Sequence, residues 1–250
     1  MNCAQPISYV IKKGDNLYRL SRYYQTTVTD IMTLNPGIDP YFLQVGTTLE
    51  ICPGDRFIYQ FENNNPPACP NPMMQIDLMK EMRKAWTQHV YWTRLFMISV
   101  VEGLENIGET EAQLLKNPKN IADIFRKFYS EEDSMELENL ITEHLKIGGG
   151  MIVAATENNQ GEFTRLNTEW YINADAITEL LSSMNPYLNK NEIRQMLYSH
   201  LDMTKEEVSK MINKDFSGDI AAFNMIENDI LKFADYLNTG IMSQFPQMFY

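Results

Sequence analysis

The chain has 250 residues, of which 44% are hydrophobic and 22% charged, and its formal net charge is −12 at neutral pH. This length favours two domains over one, and the composition is that of a globular protein, which argues against disorder. The negative charge argues against nucleic acid and anionic membrane surfaces as partners.

Targeting and redox signals are few. No run of 18 or more apolar residues occurs, so we predict no membrane span. The first thirty residues carry basic side chains but no apolar core, so we expect synthesis in the cytoplasm without a signal peptide. Reduced thiols are the default there, and the chain has three cysteines, all in its first seventy residues: Cys3, Cys52 and Cys69.

Residues 9–51 alternate between strand and helix signals. The runs "YVIKK" and "TTLEIC" are typical of β-strands, "KKGD" is a turn in which Asp15 is placed to cap a helix, and "NPG" ends a second helix. A unit this small needs its two strands to pair antiparallel. Between the strands, apolar residues recur at helical spacing in two groups, Leu17, Leu20 and Tyr24 and then Val28, Ile31 and Leu34.

The antiparallel pairing has a consequence for two of the cysteines. Cys3 precedes the first strand and Cys52 follows the second, so both flank the same edge of the sheet. A disulfide between them is geometrically feasible. Reduced thiols and a Cys3–Cys52 disulfide are therefore both open at this point.

The stretch from Ser8 to Cys52 resembles a LysM domain, a small βααβ module that binds N-acetylglucosamine polymers such as peptidoglycan and chitin. The resemblance rests on glycine, aspartate, leucine and asparagine at matching spacings, and Asn16 stands where the family usually has a hydroxyl residue. The segments that carry it are "KKGDNLYRL", Thr27-Val28, Ile31, Leu34-Asn35-Pro36, Ile38 and "LQVGTTLEI".

In such a module we expect two loops, residues 14–18 and 35–41, to form the sugar groove. Backbone groups and polar side chains suit sugar hydroxyls and amides, and apolar side chains suit the N-acetyl methyl group. The alternative is that Leu17 and Ile38 are core residues and that Asp15 is only a cap. The predicted sugar-binding residues are Gly14, Asp15, Asn16, Leu17, Asn35, Pro36, Ile38 and Tyr41.

Beyond this unit the composition changes. Residues 56–75 contain "NNNPPACPNP", which neither helix nor sheet tolerates, and we interpret them as a linker. The sequence thus predicts a LysM domain at residues 1–55, the linker at 56–75 and a helical domain at 76–250. Asn71-Pro72 is typical of a helix start.

Helical signals continue from the linker to the C-terminus. The first helix has an apolar stripe through Met82, Trp86 and Phe96, and the last has one through Ile226 and Phe233. In this helical part of the chain no segment has the alternating apolar and polar residues of a β-strand. Two stretches that each end in His-Leu also hint at internal duplication. We predict an α+β multidomain chain whose second part is an all-α, up-down, possibly duplicated four-helix bundle. Helix starts are predicted at Asn117-Pro118, Ser130, Asn189, Thr204, and Ser217 or Asp219.

The three histidines, His89, His144 and His200, each lie in an apolar stripe on a different predicted helix. All three are therefore expected to point inward. Neutral imidazole is a good ligand for zinc, iron, copper or nickel, so the sequence raises the hypothesis of a transition-metal site with a carboxylate from Glu227, Glu102 or Glu143. Ligation of a haem by two of the histidines is a further variant.

The alternative is structural: each histidine is a buried, hydrogen-bonded core residue. The tryptophans Trp86, Trp92 and Trp170 are likewise predicted to be core. No nucleophile elbow, phosphate-binding loop, Cys-X-X-Cys pair or zinc-protease motif is present, so the sequence specifies no enzyme.

Residues 76–250 also resemble an uncharacterised helical domain of spore-forming Firmicutes, through "HVYWTRLFMISVVEGL", "LLKNP", "TEHL", "WYINADAI", "NPY", "HLDMT" and "GIMSQFP". This resemblance implies a protein of the spore or cell envelope, but no activity. Together the patterns predict a non-catalytic peptidoglycan-binding protein whose helical domain mediates assembly or partner binding. The alternative is a metal-binding protein or metalloenzyme that its LysM module localises.

Overall fold

The computed structural model describes residues 6–12, 15–24, 26–40, 43–53 and 72–249. The chain divides into two compact units between Met73 and Met74. Most of the predicted linker, together with Gly14, Tyr41, Cys3 and Cys69, lies outside the described residues. A helix begins at Pro72, so residues 72–75 of the predicted linker are helical.

The N-terminal unit has the predicted strand–helix–helix–strand order. The strands β1 (Ile7–Val10) and β2 (Thr48–Ile51) enclose the helices α1 (Leu17–Tyr23) and α2 (Val28–Leu34) along the chain. The strands pair antiparallel, with Ile7 opposite Ile51 and Val10 opposite Thr48. The βααβ fold expected from the sequence is therefore confirmed.

Apolar residues from all four elements form the core of this unit. Half-buried side chains such as Val28 and Ile38 cover its edge, and Tyr9 and Tyr24 meet edge to face with ring centroids 5.9 Å apart. A core of this size leaves little stability to spare, because a small domain buries a small fraction of its surface. The buried residues are Ile11, Leu17, Leu20, Tyr24, Ile31, Leu49 and Ile51.

Asn35 links the end of α2 to β2. Its Nδ2 donates to the carbonyl oxygens of Ile31 at 2.7 Å and of Glu50 at 2.6 Å, and its Oδ1 accepts from the Glu50 amide at 2.8 Å. One side chain thus satisfies a helix-terminal carbonyl and both backbone groups of a strand residue.

The carboxylate of Asp15 makes two hydrogen bonds in the turn after β1. Its Oδ2 accepts hydrogen bonds from the Lys12 amide and the Tyr9 hydroxyl, both at 2.7 Å. The side chain therefore closes the turn after β1 and ties it to a tyrosine of the strand. Aspartate favours turns and helix caps for the same reason, and the cap of α1 by Asp15 stays a prediction.

The second unit is helical, and residues 72–249 contain no strand. Five long helices and two short ones follow one another, and the long ones pack against their sequence neighbours α6 on α7, α7 on α8 and α8 on α9. None of the described helices is long and apolar enough to span a membrane. The helices are α3 (Pro72–Val101), α4 (Ile107–Leu114), α5 (Asn117–Phe125), α6 (Glu131–Thr156), α7 (Gln160–Met184), α8 (Lys190–Ile212) and α9 (Phe216–Gln244), followed by a 3₁₀ turn at Pro246–Phe249.

The predicted apolar stripes form the core of the helical unit. On α3, Met82, Trp86 and Phe96 are buried, and on α9 Ile226 and Phe233 are buried. Trp86 and Phe233 meet edge to face with ring centroids 5.0 Å apart, which places α3 against α9. The stripes therefore identified the buried faces of both helices.

The helix starts predicted at Asn117-Pro118, Ser130 and Asn189 are correct. Ser130 Oγ accepts from the Asp133 amide at 3.0 Å, and Asn189 Oδ1 accepts from the Glu192 amide at 3.3 Å. The start predicted at Thr204 is wrong, because Thr204 lies inside α8. Likewise α9 begins earlier than Ser217, capped by Asp215.

Three helices of this unit end in the same way. Each of α3, α6 and α8 is followed by a residue with positive φ, namely Gly103 (63°), Asn158 (57°) and Lys214 (58°). Each of these residues lies fourteen positions after a histidine of the helix it follows. The spacing of fourteen residues between a histidine and the positive-φ residue therefore recurs three times, once for each histidine.

We predict that Asn35→Ala opens the N-terminal unit locally. The substitution leaves both backbone groups of Glu50 without their side-chain partners, which costs about 2–3 kcal/mol. Hydrogen exchange measured by mass spectrometry should show faster exchange of amides in residues 43–53.

The matched control for that prediction is Thr33→Ala on the same helix. The Thr33 hydroxyl only donates to the carbonyl oxygen of Thr29 on an exposed face. Exchange in this variant should match the wild type. Equal exchange in both variants would contradict the role assigned to Asn35.

Candidate functional site

The three predicted histidines meet inside the helical unit. His89 lies on α3, His144 on α6 and His200 on α8, and all three are buried. Their ring centroids form a nearly equilateral triangle with sides of 5.8, 6.0 and 6.2 Å. One nitrogen from each ring lies within 4.8 Å of the other two. Within the described residues no carboxylate or thiolate joins this group.

An asparagine orients His89. Asn117 Nδ2 donates to the carbonyl oxygen of Ala85 at 2.8 Å, so its Oδ1 is the atom that faces His89 Nδ1 at 3.0 Å. An amide oxygen only accepts, so Nδ1 carries the proton of the neutral ring. The lone pair for a ligand is then on Nε2.

His144 is oriented by the same device on the next helices. Asn173 Nδ2 donates to the carbonyl oxygen of Leu140 at 3.0 Å, and its Oδ1 faces His144 Nδ1 at 3.1 Å. In both cases the carbonyl belongs to the residue four positions before the histidine. Hydrogen bonding of one ring nitrogen so that the other can bind a metal is the usual outer arrangement of histidine metal sites.

His200 departs from this pattern. Its Nδ1 is buried and has no hydrogen-bond partner among the described residues. Asn173 lies 29 residues after His144, and the residue 29 positions after His200 is Asp229 on α9. The Asp229 carboxylate makes no hydrogen bond to the ring: it accepts a hydrogen bond from the Ser199 hydroxyl at 3.3 Å and pairs with Lys232. The site therefore contains one imidazole that is buried without a compensating partner.

Burial keeps all three rings neutral. Desolvation lowers the pKa of His89 to about 4 and that of His200 to about 3. The pKa of His144 is also well below its usual range, through burial first and the nearby His89 and His200 second. Neutral imidazole is the form that binds metals, so the rings are in their ligating state at neutral pH.

The carboxylates suggested as further ligands lie elsewhere. Glu227 accepts a hydrogen bond from the Tyr91 hydroxyl at 2.9 Å on an exposed face. Glu102 and Glu143 are exposed, and Glu143 is the second acceptor for Asn173 Nδ2. The glutamate predictions for the metal site are thus not supported by the positions of these side chains.

A buried ionic cluster lies on the same face of α8 as His200. Arg94 pairs with Glu207 and, through two hydrogen bonds of 2.7 and 2.9 Å, with Asp219. Burial raises the pKa of Glu207 to about 7, against the opposing pull of Arg94. One guanidinium thus faces two carboxylates a short distance along α8 from His200.

Trp86 and Trp170 are core residues, as predicted, whereas Trp92 is half-buried and packs against the core from its edge. Trp170 packs on His144 with ring centroids 5.1 Å apart, and its Nε1 donates to the His144 carbonyl oxygen at 3.0 Å. Trp86 stacks at a tilt against His89, with centroids 5.5 Å apart. Both rings therefore help to fix the helices that carry the histidines.

In the N-terminal unit, the structure separates core residues from exposed ones in the predicted sugar loops. Leu17 is 2% exposed and belongs to the core, and Ile38 packs against it from the edge. Leu17 and Ile38, two of the apolar residues predicted to contact the sugar, therefore pack in the core or at its edge. Tyr41, the third, lies outside the described residues.

The polar members of these loops are divided in the same way. The carboxylate of Asp15 and the amide of Asn35 make the structural hydrogen bonds described above, whereas Asn16 and Pro36 are exposed. Gly14 lies outside the described residues. Sugar contact at these loops stays a prediction for all eight residues.

Cys52 is disulfide-bonded in the structure. This differs from the reduced state taken as the default for the thiols. Both other cysteines lie outside the described residues, so the pairing with Cys3 stays a prediction.

Comparison with known proteins identifies the N-terminal unit. Residues 9–51 match the LysM domain family, so this unit is a LysM domain. A LysM domain implies binding to peptidoglycan or another N-acetylglucosamine polymer, and so suggests association with a cell wall.

One curated relative shares this part of the chain. A stretch of 44 residues is 41% identical to an endolysin of Bacillus phage PZA, covering 17% of this chain and 17% of the endolysin. The chain thus spans about a sixth of the length of that relative. No solved structure matches the chain.

We predict that mild acid destabilises the helical unit. Below about pH 6.5 the unfolded chain protonates three histidines, whereas burial keeps those of the folded chain neutral to about pH 4. Glu207 acts in the opposite direction, because the folded chain takes up its proton near pH 7 and the unfolded chain only near pH 4.5. The net excess of about two protons in the unfolded chain lowers the free energy of unfolding by roughly 2–3 kcal/mol per pH unit at the steepest.

Urea unfolding of metal-free protein at pH 7, 6 and 5 tests this, with tryptophan fluorescence as the signal. All three tryptophans lie in the helical unit, so the signal reports that unit. Glu207→Gln removes the opposing titration and should steepen the pH dependence. Stability that is constant or rises from pH 7 to pH 5 would contradict the prediction.

Proposed function

We propose that this protein is a component of the cell envelope or spore, anchored to peptidoglycan or another N-acetylglucosamine polymer by its LysM domain. The observation that carries the anchoring role is the LysM match over residues 9–51 together with the βααβ fold of the same residues. The spore location rests on the resemblance of residues 76–250 to a domain of spore-forming bacteria.

For the helical unit, the geometry favours the metal-binding alternative over a purely structural role for the histidines. A core histidine needs one hydrogen-bond partner, but nothing in packing requires three imidazoles to share one point. The two asparagines direct the Nδ1 protons of His89 and His144 outward, which leaves Nε2 of each ring for a ligand. A tetrahedral ion with bonds of 2.0–2.1 Å holds its nitrogens roughly 3.4 Å apart, so a modest contraction of the triangle suffices.

The charge around the site supports the same function. A divalent cation on three neutral imidazoles leaves two positive charges in a buried place, which is costly without compensation. Asp229 interacts electrostatically with His200, and the cluster of Arg94, Glu207 and Asp219 carries a net negative charge when both carboxylates are ionised. These carboxylates offset part of the charge of a bound cation without occupying its coordination sphere.

In this function the two parts have separate tasks. The LysM domain keeps the chain on the polymer, and the helical unit holds a transition metal there through His89, His144 and His200. Imidazole nitrogens suit zinc, iron, copper and nickel, and availability of these ions decides among them.

We predict that the full chain sediments with insoluble peptidoglycan and that a variant lacking residues 1–55 stays in the supernatant. The reason is that the polymer contacts belong to the LysM domain. The measurement is a pelleting assay quantified by gel densitometry, with soluble N-acetylglucosamine oligomers as competitor. Pelleting of the truncated variant to the same extent would contradict the proposed anchor.

We predict close to one transition-metal ion per chain for untagged protein, and none for His144→Ala. Elemental mass spectrometry after exposure to zinc, cobalt, iron and nickel at neutral pH measures both. Asn173→Ala should retain the site but weaken metal affinity by about 10–100-fold, because the ring loses its hydrogen-bond partner.

Thr178→Ala is the control for loss of metal through general destabilisation. Thr178 is fully buried on α7, and its hydroxyl donates only to the Ala174 carbonyl oxygen. This variant should bind metal like the wild type. Wild-type protein that takes up none of the four metals would refute the metal-binding function and leave the histidines as core residues.

A further inference from the structure

A small cavity borders all three histidines. Its volume is about 20 Å³, which exceeds the roughly 10–15 Å³ that one water molecule needs, so the cavity has room for a molecule of only a few atoms. A haem held by two of the histidines would need far more space, so this variant of the metal hypothesis does not fit the site. The cavity therefore lies directly beside the point at which the three rings meet.

The walls of the cavity are apolar. Among the described residues no charged side chain lines it, and the two hydroxyls that do, Thr93 and Thr204, donate to the carbonyl oxygens of His89 and His200. Such walls offer nothing to pair with a carboxylate or an ammonium group. The apolar lining residues are Phe96, Leu114, Leu145, Ile152 and Trp170.

Two glycines of α6 hold these walls close together. A Cβ atom on Gly148 would lie 3.1 Å from the Trp170 ring, and one on Gly149 would lie 3.3 Å from the Phe96 ring. The absence of side chains here lets both aromatic rings pack directly on the helix. The cavity is small because the rings approach so closely.

The number of protein ligands in the histidine cluster also suggests that the cavity holds a further ligand. Three histidines are the only grouped metal ligands among the described residues. Sites in which a protein supplies three ligands keep the next position for water or an exchangeable molecule, whereas structural sites supply four. Thr93 and Gly149 are half-buried, so solvent comes closest to the cavity at these two lining residues.

We propose that the tri-histidine centre keeps one coordination position open toward this cavity and there binds a ligand of two or three heavy atoms, such as dioxygen or nitric oxide. This inference rests on the metal centre proposed above and adds the class of its ligand. The cavity volume excludes larger molecules. Because no charged side chain lines the cavity, the metal ion alone would offset the charge of a small anion such as azide.

The test uses full-length untagged protein loaded with one equivalent of cobalt(II), with sodium azide as the probe. Cobalt content is measured first. Azide should then change the visible absorption of cobalt in a saturable way, because it enters the open coordination position, whereas benzoate should cause no change. Thr93→Leu places a larger side chain in the cavity and should weaken azide binding at least tenfold while cobalt content stays the same.

Thr93→Val is the matched control, because it removes the hydroxyl but conserves the volume, and it should bind azide within about threefold of the wild type. Wild-type cobalt protein that does not respond to azide would overturn the proposal, as would equal azide binding by Thr93→Leu or an equal response to benzoate. Protein that takes up none of zinc, cobalt, iron and nickel refutes the metal centre itself, and that failure is visible before azide is added.

Discussion

The helical unit is organised around the cost of burying three imidazoles at one point. Each ring brings two nitrogens into an apolar core, and a buried nitrogen costs free energy unless it has a hydrogen-bond partner or a ligand. Asn117 and Asn173 satisfy one nitrogen of His89 and His144 and in the same step bind the carbonyl of the helix that carries each ring. The second nitrogens converge with His200, and this convergence is what packing alone does not explain.

Several features of the fold serve this cluster. Trp170 reaches the His144 carbonyl because Gly148 leaves space for its ring. Trp86 packs against the ring of His89. A rigid, apolar surrounding raises the cost of protonating the rings and so keeps them neutral. The same surrounding limits the space beside them to a molecule of a few atoms. The buried Nδ1 of His200, which has no hydrogen-bond partner among the described residues, lowers the stability of this arrangement.

How much could be predicted depended on the range of the interactions. The LysM fold followed from local signals, because turns, short strands and helix ends are encoded by neighbouring residues. The apolar stripes of α3 and α9 were equally readable, since a helix of regular period shows its buried face directly. Thr204 and Glu207 have the spacing of a helix start, yet Thr204 lies within α8 and Glu207 turns to Arg94 on α3. Capping spacing says nothing about long-range partners, so this error was unavoidable.

The sequence by itself determined the two kinds of unit, the LysM module, the buried faces of the helices and the inward direction of the three histidines. Only the tertiary structure decided that the histidines meet, that Asn117 and Asn173 orient two of them and that Glu227 stands apart. It also decided that Leu17 and Asp15 serve the LysM fold. The physical reason is that periodicity tells which face of a helix is buried, whereas the height and rotation at which separate helices pack depend on all their side chains at once.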